Sequence, residues 1–88
     1  MFSHEALETA YVFTCYEVLY YGAPILYIAH TNDGNWLYLC GKEHEGEDAP
    51  CVLLQTMYRL DPSISQLADL PLGKQARRAT ARDPWEII

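Results

Sequence analysis

The chain has 88 residues, half of them hydrophobic, and a formal net charge of −6. A chain this short makes one domain that buries roughly 60–65% of its unfolded surface, so it has one small core and little room for a deep, separately built active site. The composition excludes disorder, the apolar runs are far too short to span a membrane, and the acidic excess disfavours nucleic acid and anionic membrane surfaces as partners.

Met1 to Thr9 reads as a short helical lead-in or a frayed end. Its first residues carry neither the basic n-region nor the apolar h-region of a signal peptide. Ala10 to Tyr20 is rich in Tyr, Val, Phe and Thr, which suits a strand beginning near Tyr11. Alternation sets Tyr11, Phe13 and Cys15 on one side and Val12, Thr14 and Tyr16 on the other. Gly22 and Pro24 interrupt this run, and Pro24 is tolerable as the first residue of a following strand.

Two apolar runs then flank Asn32, Asp33, Gly34 and Asn35, and Asp-Gly is a leading hairpin signal because both residues accept positive φ. With Asp33 and Gly34 as a two-residue loop, Thr31 faces Trp36, His30 faces Leu37, Ala29 faces Tyr38, Ile28 faces Leu39 and Tyr27 faces Cys40. One face then carries Leu26, Ile28, His30, Leu37 and Leu39. The other carries Ile25, Tyr27, Ala29, Thr31, Trp36, Tyr38 and Cys40. Both are apolar, so each needs cover from this chain or from a partner.

Gly41 to Pro50 is a polar, acidic loop in which Asp48 can cap a helix with Pro50 in its first turn. Leu53, Leu54, Met57, Tyr58 and Leu60 recur at helical spacing. Asp61 and Pro62 repeat the start signal, Ile64, Leu67, Ala68 and Leu70 form a second apolar stripe, and Pro71 ends it. Lys74 to Arg82 reads as a basic helical turn or an extended tail, and the turn at Asp83 and Pro84 can lay Trp85 back on the body.

Three cysteines make no complete disulfide framework and fit reduced thiols in a cytosol, acting as small buried hydrophobes. Cys40 and His44 are four apart, with Cys15, His30 and Cys51 as supplements, but the paired short spacings of structural zinc sites are missing. Three Cys and three His permit a nucleophile pair only in the sense that any small protein would. Glu43 and Glu45 read as solvated charge, and no phosphate-cradling Gly loop or Ser-centred elbow is present. His30 reads as a half-exposed residue at the hairpin end. No catalytic residue, cofactor or metal is expected.

Up to Tyr58 the only Lys or Arg is Lys42, against eight acidic residues, whereas the balance turns slightly positive from Arg59 onward. The acidic loop residues Glu43, Glu45, Glu47 and Asp48 would suit a basic partner, or serve only solubility. Tyr27, Trp36, Tyr38 and Trp85 are of the type that anchors protein interfaces, although cover by a helix of this chain is the favoured reading of the hairpin aromatics.

Three segments carry a family resemblance: Asn35 to Gly41, Leu60 to Ile64, and Leu67 to Gly73 with Ala76, Arg77 and Arg78 following. In these the chain resembles small bacterial proteins of unknown function, some classed as immunity proteins of polymorphic-toxin systems, over about residues 24–78. The acidic loop is shorter here than that pattern leads one to expect. The resemblance implies a cytosolic α+β domain that acts by binding, as an immunity or antitoxin-like protein does, and it transfers no catalytic residues.

The expected fold is α+β: a small antiparallel sheet of three to four strands with a central hairpin at about 24–40, and two short helices at about 50–60 and 62–70. The expected function is a cytosolic protein-binding module. A structural homodimer built on the hairpin faces is the second expectation, and a thiol- or metal-dependent enzyme the third.

Overall fold

The computed structural model describes residues 10–41 and 50–88. The fold is α+β, with a mixed sheet larger than the expected one. Its strands are β1 (Tyr11–Thr14), β2 (Tyr27–His30), β3 (Trp36–Leu39), β4 (Cys51–Leu53), β5 (Lys74–Arg77) and β6 (Glu86–Ile87). Helix α1 (Tyr16–Tyr20) follows β1, and α2 (Leu54–Leu60) follows β4 and leads into a 3-10 helix (Pro62–Leu67). The strand order is β4-β1-β3-β2-β5-β6, so the hairpin is central, as expected. Every neighbouring pair is antiparallel except β1 and β3, which run parallel.

The hairpin register differs from the expected one by a single residue. His30 pairs with Trp36, Ala29 with Leu37, Ile28 with Tyr38 and Tyr27 with Leu39. The cause is an odd loop. Thr31 N donates to Asn35 O at 2.8 Å and Gly34 N to Thr31 O at 2.9 Å, with Gly34 at φ +87. This is a turn closed by a glycine in the left-handed region, one of the three-residue hairpin loops, and not a two-residue one. Because side chains alternate with a period of two, the slip moves Trp36 and Tyr38 to the face of Ile28 and His30. Leu37 and Leu39 join Tyr27 and Ala29.

Three further segments depart from expectation. The chain leaves β1 after Thr14 and turns helical, which buries Val18 while Tyr16 and Tyr20 stack outside with centroids 6.0 Å apart. Strand propensity yields here because it mostly reports fit to a pleated, half-buried surface. The helix expected from about residue 50 begins only at Leu54. Cys51 to Leu53 instead pair with β1, framed by Thr14 N to Pro50 O at 3.0 Å and Leu54 N to Ala10 O at 2.8 Å. The free edge of β1 supplies hydrogen-bond partners that an isolated helical pattern does not reveal. Lys74 to Arg77 form a strand against β2, with Ala76 fully buried opposite Ile28.

Asp61 starts the next helix as expected, accepting from Ser63 N at 3.0 Å with Pro62 at the first position, but the helix is of the 3-10 type. Both helices and the 3-10 segment cover one face of the sheet. Their buried residues Val18, Leu54, Met57, Ile64 and Leu67 share a cluster with Val12, Ile28, Tyr38 and Ala76. Thr14 is buried in the same layer and donates to Tyr38 O at 2.6 Å.

Candidate functional site

Alternation along the paired strands assigns the second face. From β4 to β5 it carries Cys51 and Leu53, Tyr11 and Phe13, Leu37 and Leu39, Tyr27 and Ala29, then Gln75 and Arg77. None of the aromatics Tyr11, Phe13 and Tyr27 belongs to the core cluster, and nor do Leu37 and Leu53. Tyr11 is 68% exposed and Leu53 37%, while Phe13, Tyr27 and Leu37 are half-buried and Leu39 packs against the core cluster. Phe13 pairs with Leu37 and Tyr11 with Leu53, so these side chains form one continuous apolar strip across four strands.

The aromatic residues singled out in the sequence are divided by the corrected register. Tyr38 is 3% exposed and belongs to the core. Burial, with Tyr58 beside it, holds its phenol well above the ordinary range. Trp36 is half-buried, stacked on His30 at 4.0 Å and on Tyr38 at 6.0 Å between centroids. His30 Nδ1 donates to Leu70 O at 2.6 Å, which fixes the proton on that nitrogen and pins the ring. Tyr27 lies on the second face, apart from the other two.

Trp85 does return to the body. It is half-buried, with the Arg78 guanidinium 4.1 Å from its ring centroid. Arg78 Nε donates to Ile25 O at 3.0 Å, Nη1 to Ser63 Oγ at 3.0 Å and Nη2 to Asp61 Oδ2 at 2.5 Å. Among the described residues Trp85 Nε1 is buried without an acceptor, so its hold is stacking and cation–π attraction. Glu43, Glu45, Glu47 and Asp48 lie outside the described residues, as does His44.

Sequence reasoning singled out Tyr27 on this surface but missed Tyr11, Phe13, Leu37 and Leu53 as its companions. The odd count between Thr31 and Asn35 was the only available signal, and it becomes readable only once the loop's hydrogen bonds are known. The resemblance motifs turn out to have structural work. Asp61, Ser63 and Arg78 form one polar network. Gly73 N donates to His30 O at 2.6 Å, and Leu70 O receives the His30 proton, so this segment clamps the end of β2.

The cleft beside the end of β3 has a volume of about 600 Å³ and is lined by Leu26, Tyr27, Leu39, Cys40, Gly41, Arg77 and Arg78. It opens next to the apolar strip. Cys15 and Cys40 are buried, as small hydrophobes would be, whereas Cys51 is exposed at the edge strand. Among the described residues no helix is long and apolar enough to cross a membrane. Compared with known proteins, the chain matches no family model, no curated protein and no solved structure.

Proposed function

We propose that this protein is a cytoplasmic binding module, not an enzyme, that docks a protein partner on the second face of its sheet. One observation carries the reading: Tyr11, Phe13, Tyr27, Leu37 and Leu53 share a face and stand outside the core cluster formed with the helices. Aromatic and aliphatic side chains on a rigid sheet bury much area on docking while losing little conformational entropy. The net charge of −6 favours a basic partner, since complementary charge speeds encounter and screens out wrong partners. An immunity or antitoxin-like role, in which the partner is a basic toxin, is the form of this reading that the resemblance suggests. Packing of the same face against a second copy is the second reading, because a single self-complementary patch also suits a two-fold dimer.

Sedimentation and affinity capture with Tyr11→Asp and Leu37→Asp test the proposal, with circular dichroism as the folding control. The expected result is a protein retained by the wild type and lost on both folded variants. A wild type that dimerises and loses the dimer on the same substitutions favours the second reading. A monomer that retains nothing the variants lose would sink both.

A further inference from the structure

Side chains from two distant segments meet at one end of the parallel strand pair. Thr14 pairs with Tyr38, so the residues that follow β1 and β3 come side by side. Cys15 stands at the junction of β1 and α1, Glu17 lies in the first turn of α1, and Cys40 directly follows β3. One sulfur from each cysteine and a carboxylate oxygen of Glu17 all lie within 4.8 Å of one another. Cys40 Sγ donates to Glu17 Oε2 at 3.9 Å. We propose that Cys15, Glu17 and Cys40 form a binding site for a divalent cation of the zinc class, with a fourth coordination position left to water or to a partner's side chain.

One edge of the cluster is already near the length it would have in a formed site. Zinc bonds of about 2.3 Å to sulfur and about 2.0 Å to oxygen in a tetrahedron put a sulfur and an oxygen about 3.5 Å apart, and two sulfurs about 3.7 Å apart. The observed 3.9 Å between Cys40 and Glu17 needs a shift of only a few tenths of an ångström. Cys15 and Cys40 are buried and Glu17 is half-buried, so the site is sheltered and still reachable from the carboxylate side.

A catalytic or redox role fits the arrangement less well. A catalytic or redox-active cysteine needs a stabilised thiolate, usually beside a cation. Here burial pushes the Cys15 thiol up, and a carboxylate is the neighbour. The Cys40 thiol donates to the Glu17 carboxylate, so the apo cluster already holds that oxygen beside the sulfurs where a cation would meet them. A cation bound at this cluster must take the place of the thiol protons. A dication does so, releasing the thiol protons to solvent on binding.

The donor set also selects the ion. Thiolates discriminate against magnesium and calcium, and the carboxylate favours zinc over cuprous copper. Bound there, the ion would tie the β1–α1 junction to the end of β3, which suits a small domain with a limited core. Cys40 also stands in the wall of the cleft of about 600 Å³.

The test uses the full chain, reduced and stripped with chelator, then titrated with Co²⁺ and displaced by Zn²⁺. Sulfur-to-cobalt charge-transfer absorption reports thiolate ligation directly. The expected result is one metal per chain, absorption lost in Cys15→Ser and Cys40→Ser, and Co²⁺ affinity at least about tenfold weaker in Glu17→Gln. Cys51→Ser should bind like the wild type. The proposal is overturned if the wild type shows no such absorption, or if the band survives both buried-cysteine substitutions. If those variants fail to fold, Glu17→Gln decides, and unchanged affinity there would overturn the proposal.

Discussion

Arg78 and Asp61 close the fold across a gap of 17 residues, with Nη2 donating to Oδ2 at 2.5 Å. The arginine side chain is 2% exposed and the carboxylate side chain 20%. The same carboxylate caps the 3-10 helix through Ser63, and the same guanidinium supports the Trp85 ring. One ion pair thus joins the end of β5, the α2–3-10 junction and the C-terminal segment.

Removing one partner of a buried pair leaves the other charge uncompensated, a loss on the order of 3–5 kcal/mol. Because Asp61 keeps some solvent, Asp61→Ala should fall at the low end, about 3 kcal/mol in urea denaturation. Arg78→Lys should not restore stability, since a single ammonium cannot reach Ile25 O, Ser63 and Asp61 in fixed fork geometry. A lysine variant within about 0.5 kcal/mol of wild type would contradict this account.

The two faces of the sheet should respond differently to truncation. Ile28→Ala opens a cavity in a fully buried layer and should lose about 2–4 kcal/mol. Leu37→Ala, on the second face, should lose about 1 kcal/mol or less. Equal losses would place both residues on one face, as a two-residue hairpin loop would do, and would rule out the odd loop.

Gly34 and Gly73 occupy the left-handed region at φ +87 and +79. A β-carbon at Gly34 meets nothing within 4 Å, so Gly34→Ala should lose about 1 kcal/mol from backbone strain alone. At Gly73 the new carbon would sit 2.6 Å from Asn32 Oδ1, so that side chain must also swing away. Gly73→Ala should therefore lose more than Gly34→Ala, and adding Asn32→Ala should recover only the excess. Thermal unfolding of the three variants checks the order.

Tyr38 makes stability depend on alkaline pH. Its folded-state pKa is raised by burial, so above the unfolded value of about 10 the native state holds a proton that the unfolded chain releases. Its contribution is intact below about pH 10 and is lost as pH rises further, at up to about 1.4 kcal/mol per pH unit. Urea midpoints measured from pH 8 to 11 should fall more steeply for wild type than for Tyr38→Phe. Parallel slopes would show that the phenol does not titrate differently in the two states.

Much of the frame could be read from the residues. The hairpin, the Asp61–Pro62 helix start, the strand at Tyr11 and the return of Trp85 all follow from turn chemistry, capping and β-propensity, which act over a few residues. The candidate surface could not be read in the same way. It depends on whether the loop after Thr31 holds an even or an odd number of residues, and one residue moves Trp36 and Tyr38 inward and Leu37 outward. The strands at Cys51 and Lys74 were hidden for a related reason. Neither has a pattern of its own strong enough to announce a strand, and each forms because a neighbouring edge offers unpaired backbone groups.

The sequence by itself determined an α+β domain with one small core, an acid excess, a central hairpin and an apolar surplus on both of its faces. Tertiary structure alone decided which face of the sheet the helices cover. It also decided that Cys15, Glu17 and Cys40 come together, because the parallel pairing of β1 with β3 is a long-range contact. Local sequence sets the cost of a turn or a cap, whereas register and strand order are settled by which arrangement satisfies the most backbone groups while burying the most apolar area.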